Sequence, residues 1–189
     1  MDYTTLSLND VRSGLDDVAR DTAHAFAHLS VAQLNWKPDA TRWSVAQCFQ
    51  HLLTANELML CAAQDALNDA SPRTVWQRLP LLPRLMGPAL IRSQAPEATG
   101  RYKAPPKAQP AASEIPSDIV QRFADQQRDV VRWMQTLDER RAAAVNMTSP
   151  FIKLIAYSVL DGSRLMLAHD HRHIAQARRV TTLPEFPGS

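Results

Sequence analysis

The sequence predicts an all-α protein that folds as a four-helix bundle. Four stretches without an internal proline carry apolar residues at spacings of three and four, which is typical of amphipathic helices. They are 1–37, 39–71, 117–149 and 151–183. Five glycines and the lack of sustained apolar–polar alternation disfavour a β fold. Each stretch therefore predicts one long helix.

The first stretch predicts a helix with one narrow apolar face. At about 100° per residue, its apolar-face positions fall within roughly 80° of arc. These positions are Leu8, Val11, Leu15, Val18, Thr22, Phe26 and Leu29. A stripe of this width predicts that one side of the helix faces a core.

The second stretch contains a signal for where its helix begins. Ser44 can cap a helix, and Gln47, three residues later, can complete a capping box. Apolar residues at helical spacing continue from there to about Leu67. We therefore expect the second helix to begin at Ser44.

The third and fourth helices have less sharply defined ends. The third is predicted to begin near Asp118, an acidic residue suited to the positive end of a helix, and to end near Arg141. Asp161 or Ser163 is expected to cap the fourth helix, which continues to about Val180. Residues 149–160 are expected to form an extra turn or helix.

Residues 72–116 hold nine of the 13 prolines. An apolar stretch from Trp76 to Pro83 precedes a polar tract, 104–110, which contains three of these prolines. Proline interrupts helices, so we expect a short helix followed by an extended, partly mobile strap. The strap is interpreted as a crossover connection between the second and third helices, within a single domain spanning 1–189 that ends in a tail at 181–189.

Charge and hydropathy exclude several classes of partner. The formal net charge is +2 with interspersed signs, so no polybasic tract predicts binding to nucleic acid or to a membrane. No stretch approaches the roughly 20 apolar residues of a membrane span, and the first residues do not resemble a signal peptide. A cytoplasmic protein is expected. Cys48 and Cys61 are about 20 Å apart along one predicted helix, which predicts reduced thiols.

Two of the histidine pairs have the i, i+4 spacing that places both imidazoles on one helix face. His24 and His28 lie about 180° and 220° from Leu15, opposite the apolar stripe of the first helix. We therefore expect this pair to be solvated.

The second pair, His169 and His173, lies on the inward face of the fourth helix, whereas His171 points away from it. Each buried ring nitrogen needs a partner, so a shared metal ion is the simplest explanation for the pair. If the second and fourth helices are antiparallel, His51 reaches the same level. The sequence thus predicts a metal site of His51, His169 and His173; the alternative is a structural polar cluster.

Other residues near this level keep two interpretations each. Cys48 is either a fourth ligand or nucleophile, or core filling. Arg172 either binds a substrate carboxylate or forms a salt bridge to a neighbouring helix. Gln176 either orients a ligand histidine or makes an interhelical hydrogen bond. Trp36 and Trp43 are expected to be packing anchors in the loop before the second helix.

The chain also resembles a known family. The segment Trp43-Ser44-Val45-Ala46-Gln47-Cys48-Phe49-Gln50-His51-Leu52, preceded by Leu34-Asn35-Trp36-Lys37-Pro38, and the segment Ala168-His169-Asp170-His171-Arg172-His173-Ile174-Ala175-Gln176 are similar to the DinB-like (DinB/YfiT-like) family. The resemblance covers all four predicted helices. It implies an up-down-down-up bundle that holds a divalent metal through His51, His169 and His173.

The resemblance also implies classes of function. Related proteins include thiol-dependent transferases and isomerases that use bacillithiol, mycothiol or glutathione, and many members are homodimers. A metal-dependent enzyme of the thiol S-transferase, isomerase or hydrolase type is therefore expected, acting on a small-molecule substrate with zinc, nickel, manganese or iron and a low-molecular-weight thiol. The catalytic residues are unknown, because no Asp or Glu clearly shares the inward face. The alternative is a noncatalytic metal-binding bundle of a stress response.

Overall fold

The computed structural model describes residues 1–70, 72, 74–78, 81–100, 103–112 and 114–188. The chain is predominantly helical. Its helices are α1 (Leu8–Phe26), α2 (Val31–Asn35), α3 (Val45–Leu67), α4 (Val75–Arg78), α5 (Leu82–Gln94), α6 (Ile119–Gln135), α7 (Glu139–Ala144) and α8 (Val159–Thr181). Two short strands, β1 (Asn146–Thr148) and β2 (Ala156–Ser158), pair antiparallel with Met147 opposite Tyr157. Two 3-10 turns span Tyr3–Thr5 and Pro106–Ala108.

The four long helices share one apolar core. Helix α1 packs against α6 and α8, and α3 packs against the same two helices. The predicted stripe of α1 is buried from Leu8 to Leu29, although the helix itself ends at Phe26. Within the described residues, no helix combines the length and hydropathy needed to cross a bilayer.

Local side-chain chemistry explains where α3 begins. Ser44 accepts a hydrogen bond from the backbone N–H of Gln47, and the Gln47 side chain accepts one from the backbone N–H of Ser44. This capping box satisfies N–H groups that have no partner within the helix. The predicted start of the second helix is confirmed, and it places His51 in the second turn of α3.

The third predicted helix is two helices. Helix α6 ends at Gln135, and the Asp138 side chain accepts a hydrogen bond from the backbone N–H of Arg141, capping the separate helix α7. The expected end near Arg141 was wrong because a new cap at Asp138 starts a second helix before that position.

The fourth helix begins earlier than expected. Ser158, rather than Asp161 or Ser163, caps α8 by accepting a hydrogen bond from the backbone N–H of Asp161. Residues 149–160 hold strand β2 and the first residues of α8 in place of an extra turn or separate helix. The prediction missed a hairpin whose strands have only three residues each.

Residues 72–116 contain more helix than the short segment expected there. Helix α5 has 13 residues and keeps Pro88 in its interior, while Pro83 lies in its first turn, where a missing N–H costs little. Pro83, Gly87 and Ile91 form its buried face, which packs against α8 and β2. Leu79 and Pro80 of the apolar stretch lie outside the described residues.

Candidate metal centre

The structure brings the three predicted histidines together. The Nε2 atoms of His51 and His169 lie 3.2 Å apart, and the ring centroids of His169 and His173 lie 4.6 Å apart. One nitrogen from each of the three rings falls within 4.8 Å of the other two. Helix α3 supplies His51, and one turn of α8 supplies the other two. The convergence of three imidazole nitrogens is a geometry that can hold a metal ion.

A backbone carbonyl orients His51. Its Nδ1 lies 2.6 Å from the carbonyl oxygen of Ala108, in the 3-10 turn Pro106–Ala108. Because a carbonyl only accepts hydrogen bonds, Nδ1 carries the proton and Nε2 keeps its lone pair. That lone pair is on the nitrogen that faces His169. A residue of the proline-rich segment thus fixes the tautomer of a candidate ligand, as outer partners of metal ligands do.

A side-chain amide orients His173. Its Nδ1 lies 2.9 Å from Oε1 of Gln176 on the same helix, which leaves Nε2 as the free nitrogen. Of the two interpretations of Gln176, the structure agrees with the first, because the Gln176 side chain contacts the candidate ligand His173. It is not an interhelical hydrogen bond, since both residues belong to α8.

Burial favours the neutral form of the three imidazoles. It lowers the pKa of His51, and it lowers the pKa of His169 well below its usual value, with further repulsion from His173 and His51. The pKa of His173 falls to about 3, first through burial and then through His51. Neutral imidazole is the form that binds metals.

Trp43 forms one wall of the histidine cluster. Its ring lies 5.0 Å from that of His51 and 5.7 Å from that of His173, stacked at 25° on the latter. Trp36, by contrast, packs edge-on against Phe186. Trp36 is the packing anchor that was expected, whereas Trp43 also shields two candidate ligands from water.

Arg172, between the two histidines of α8, binds backbone rather than an acidic side chain. Its guanidinium donates to the carbonyl oxygens of Ser93, Ala95, Ala98 and Gly100 over 2.5–3.3 Å. These carbonyls belong to the C-terminal end of α5 and the loop after it. Neither interpretation from the sequence describes this contact, which anchors the proline-rich segment beside the site.

Cys48 lies in the apolar core. Its side chain is 1% exposed, and burial raises the pKa of its thiol to about 12. The metal-competent group within the described residues contains the three histidines and not Cys48. The core-filling interpretation therefore agrees with the structure. Both cysteines are free thiols, and Cys61 is exposed.

The remaining histidines lie outside the cluster. His24 and His28 are exposed, as their angular positions on the first helix predicted. His171 points away from the site, and its Nδ1 lies 2.7 Å from the hydroxyl of Tyr3.

The sequence did not reveal a buried acid next to the site. Asp170 is fully buried, and Oδ1 accepts a 2.9 Å hydrogen bond from the side chain of Asn56, while Oδ2 has no hydrogen-bond partner among the described residues. Burial raises the pKa of Asp170 to about 8. The carboxyl does not join the histidine cluster. Asn56 and Asp170 meet only because α3 approaches α8, so their hydrogen bond could not be predicted from the sequence of either helix.

Two surface clefts are lined by residues other than the three histidines. A cleft of about 780 Å³ separates the end of α1 from the C-terminal tail and is lined by His28, Gln33 and Phe186, among others. A smaller one, of about 200 Å³, lies beside Ser44 and Gln47 at the start of α3.

The family of the chain follows from a match that spans both ligand-bearing helices. The DinB superfamily model matches residues 15–177, which include His51, His169 and His173. The chain belongs to the DinB superfamily. Searches of curated proteins and of solved structures find no match. This match confirms the resemblance to the DinB family that the two sequence segments indicated.

Proposed function

We propose that this DinB-superfamily protein binds one divalent metal ion through His51, His169 and His173. The observation that carries the proposal is the convergence of three neutral imidazoles, with one nitrogen of each within 4.8 Å of the others. The hydrogen bonds from Nδ1 of His51 and of His173 support it, because they leave Nε2 of both rings available.

The donor set restricts which ion fits. Imidazole suits zinc, nickel and iron, whereas manganese prefers oxygen ligands, so manganese ranks last of the four expected ions. When bound, an ion with three protein ligands supplies an open position at which the pKa of water or of a thiol is lowered.

The side chains around the site favour a reaction whose nucleophile comes from outside the chain. Cys48 is buried and its pKa is raised to about 12, so it is not a thiolate near neutral pH. Asp170 faces Asn56 and does not join the cluster. We therefore favour a metal-dependent transferase or isomerase that uses a low-molecular-weight thiol, with a small-molecule substrate. A hydrolase is the second enzyme class.

Noncatalytic metal binding in a stress response is the second candidate function. It is favoured by the buried surroundings of the three histidines, since burial is the main cause that lowers the pKa of each one. Packing of Trp43 against His51 and His173 further limits access from that side. A homodimer and a cytoplasmic location stay predictions.

The finer architecture belongs to the same proposal. An up-down-down-up bundle requires α3 and α6 to run parallel, with 72–116 crossing between them. Two hydrogen bonds in the same order along the chain support it: Gln126 of α6 donates to the Leu53 carbonyl within α3, and Arg141 of α7, which follows α6, donates to the Leu67 carbonyl at the end of α3. Core contacts of Ile91 and Ile115 support a single domain that includes this crossover.

Metal content tests the site. Protein purified without an affinity tag or nickel resin is expected to carry about one divalent ion per chain by elemental analysis. His169→Ala should abolish binding, whereas the exposed His24→Ala should leave it intact. Absence of metal after incubation with zinc, nickel, iron and manganese, or equal effects of both variants, would refute the assignment.

Turnover tests the activity separately. The metal-loaded protein would be assayed against a panel of electrophiles with bacillithiol, mycothiol and glutathione, with His169→Ala as the control. Product formation that requires both thiol and His169 supports the transferase proposal. Stoichiometric metal without turnover would favour the noncatalytic function.

A further inference from the structure

A group of exposed apolar side chains lies away from the histidine cluster. Large apolar residues with 37–69% of their area exposed occur on α4, at the start of α5 and in the loop between the two strands. They are Val75, Trp76, Leu81, Leu85, Ile152 and Leu154. We call these six residues the apolar surface. Elsewhere in the described chain, large apolar side chains this exposed are Met1 and Val31.

Tertiary contacts join the segments that carry the apolar surface. Gln77 on α4 donates to the backbone carbonyl of Asn146 on β1, and the Asn146 side chain donates back to the carbonyl of Gln77, both at 3.0 Å. Helix α4 also contacts α5 and β2, and α5 contacts β2. Residues 75–78, 81–85 and 151–154 therefore belong to one region of the molecule despite their separation in sequence.

Packing fixes the orientation of α5. Its buried face holds Pro83, Gly87 and Ile91, and a Cβ added at Gly87 would clash with the carboxylate of Asp161. The helix therefore approaches α8 closely on that side. Leu81 and Leu85, which are 67% and 68% exposed, lie on the opposite side and project outward.

The charges around the apolar surface have one sign. Arg78, Arg84 and Lys153 are exposed on the same segments. Residues 75–94 and 146–158 contain no Asp or Glu at all. A second copy docked through the same surface would bring cations against cations, which is unfavourable. An anionic partner is complementary.

We propose that the apolar surface docks peripherally on an anionic lipid bilayer. Projecting apolar side chains including a Trp, flanked by Arg and Lys, are the features of interfacial binding: the apolar groups enter the headgroup boundary and the cations meet anionic lipids. Leu81 and Leu85 project away from the packed face of α5, which suits a bilayer better than a peptide-binding groove. The net charge of +2 does not indicate this local excess of cations, because the acidic residues that offset it lie on other segments.

Vesicle binding tests the proposal. The full-length protein should co-sediment with vesicles of phosphatidylglycerol and phosphatidylcholine, and not with phosphatidylcholine alone. Leu85→Ser should weaken partitioning at least about tenfold, and Arg84→Gln about fivefold at low salt. Val31→Ser, a change at an exposed apolar residue elsewhere, is the matched control and should have no effect.

Tryptophan quenching gives a second readout, and its first measurement uses the unmodified protein. Lipids brominated on their acyl chains should quench fluorescence in the unmodified protein. Quenching should be lost in Trp76→Phe and kept in Trp133→Phe. Lack of binding to anionic vesicles, equal binding of Leu85→Ser, or quenching that survives Trp76→Phe would overturn the proposal. So would a dimer in light scattering that Leu85→Ser dissociates, because a second copy would then cover the surface.

Discussion

Nδ1 of His51 lies 2.6 Å from the carbonyl oxygen of Ala108, which is 57 positions later in the chain. The contact joins the proline-rich segment directly to a candidate metal ligand. Ala108 itself is fully buried, whereas Lys107 and Gln109 on either side of it are exposed. The segment therefore takes part in setting the tautomer of His51.

Enlarging the side chain at position 108 should weaken metal binding. Ala108→Leu overfills a buried site and displaces the carbonyl that holds Nδ1 of His51. Loss of such an outer partner typically lowers metal affinity about tenfold to a hundredfold. Zinc affinity by competition with a chromogenic chelator would measure it. Ala112→Leu, at an exposed position of the same segment, should bind zinc normally; equal losses would contradict the role of this carbonyl.

Gln176 should matter through the acceptor that it offers to His173. Gln176→Ala removes the oxygen 2.9 Å from Nδ1 and is expected to lower zinc affinity about tenfold or more. Gln176→Glu keeps an acceptor and should retain most of the affinity. Arg178→Ala, an exposed change on the same helix, is the control. If Glu and Ala at position 176 behaved alike, the hydrogen bond would have no role in binding.

Helical periodicity was sufficient to choose between the two histidine pairs, whereas placing His51 beside His169 and His173 also required the assumption that the second and fourth helices are antiparallel. A rotation of about 100° per residue is enough to place His24 and His28 on the outer side of the first helix. It also places His169 and His173 on the inward side of the fourth helix, and neither step needs tertiary information. The same holds for the cap at Ser44, whose partner Gln47 is only three residues away. Such features depend on contacts within one or two turns of a helix.

Contacts across the chain could not be predicted in this way. The bond from His51 to Ala108 and the pair Asn56–Asp170 depend on how a crossover and two helices come together. Helix α5 was underestimated because an internal proline argues against a helix, whereas its buried face of Pro83, Gly87 and Ile91 packs against α8 and β2. Tertiary burial prevailed over local propensity there.

Arg172 should hold the loop after α5 in place. One guanidinium spans four carbonyl oxygens, a geometry that a lysine ammonium does not reproduce. Arg172→Lys is therefore expected to speed amide hydrogen exchange in peptides covering 93–100, with the helical core unchanged. Mass spectrometry would measure the exchange, and Arg178→Lys is the matched control. Unchanged exchange in 93–100 would show that other contacts hold this loop.

The two cysteines should differ sharply in reactivity. Cys48 is 1% exposed and burial raises the pKa of its thiol to about 12, whereas Cys61 is exposed. A maleimide near neutral pH should label one thiol per native chain and two after denaturation. Cys61→Ser should eliminate native labelling. Fast native labelling of Cys48 would contradict its core position and revive its interpretation as a nucleophile.

Asp170 should make the stability of the metal-free protein depend on pH. Its pKa is raised by burial from 3.8 to about 8 in the folded state, so the folded protein keeps this proton while the unfolded chain releases it. The contribution is fully present below about pH 4 and is lost progressively as the pH rises towards 8. Asp170→Asn removes this titration and can still accept the hydrogen bond from Asn56.

The difference in unfolding free energy between Asp170→Asn and the unmodified protein should therefore increase from about pH 5 to about pH 8 and level off above that. Urea unfolding in the presence of a chelator would measure it, so that bound metal does not contribute. The titration of the histidines is common to both proteins and largely cancels in the difference. A difference that stayed constant over this range would mean that Asp170 is ionised in the folded protein, with water or another group satisfying Oδ2.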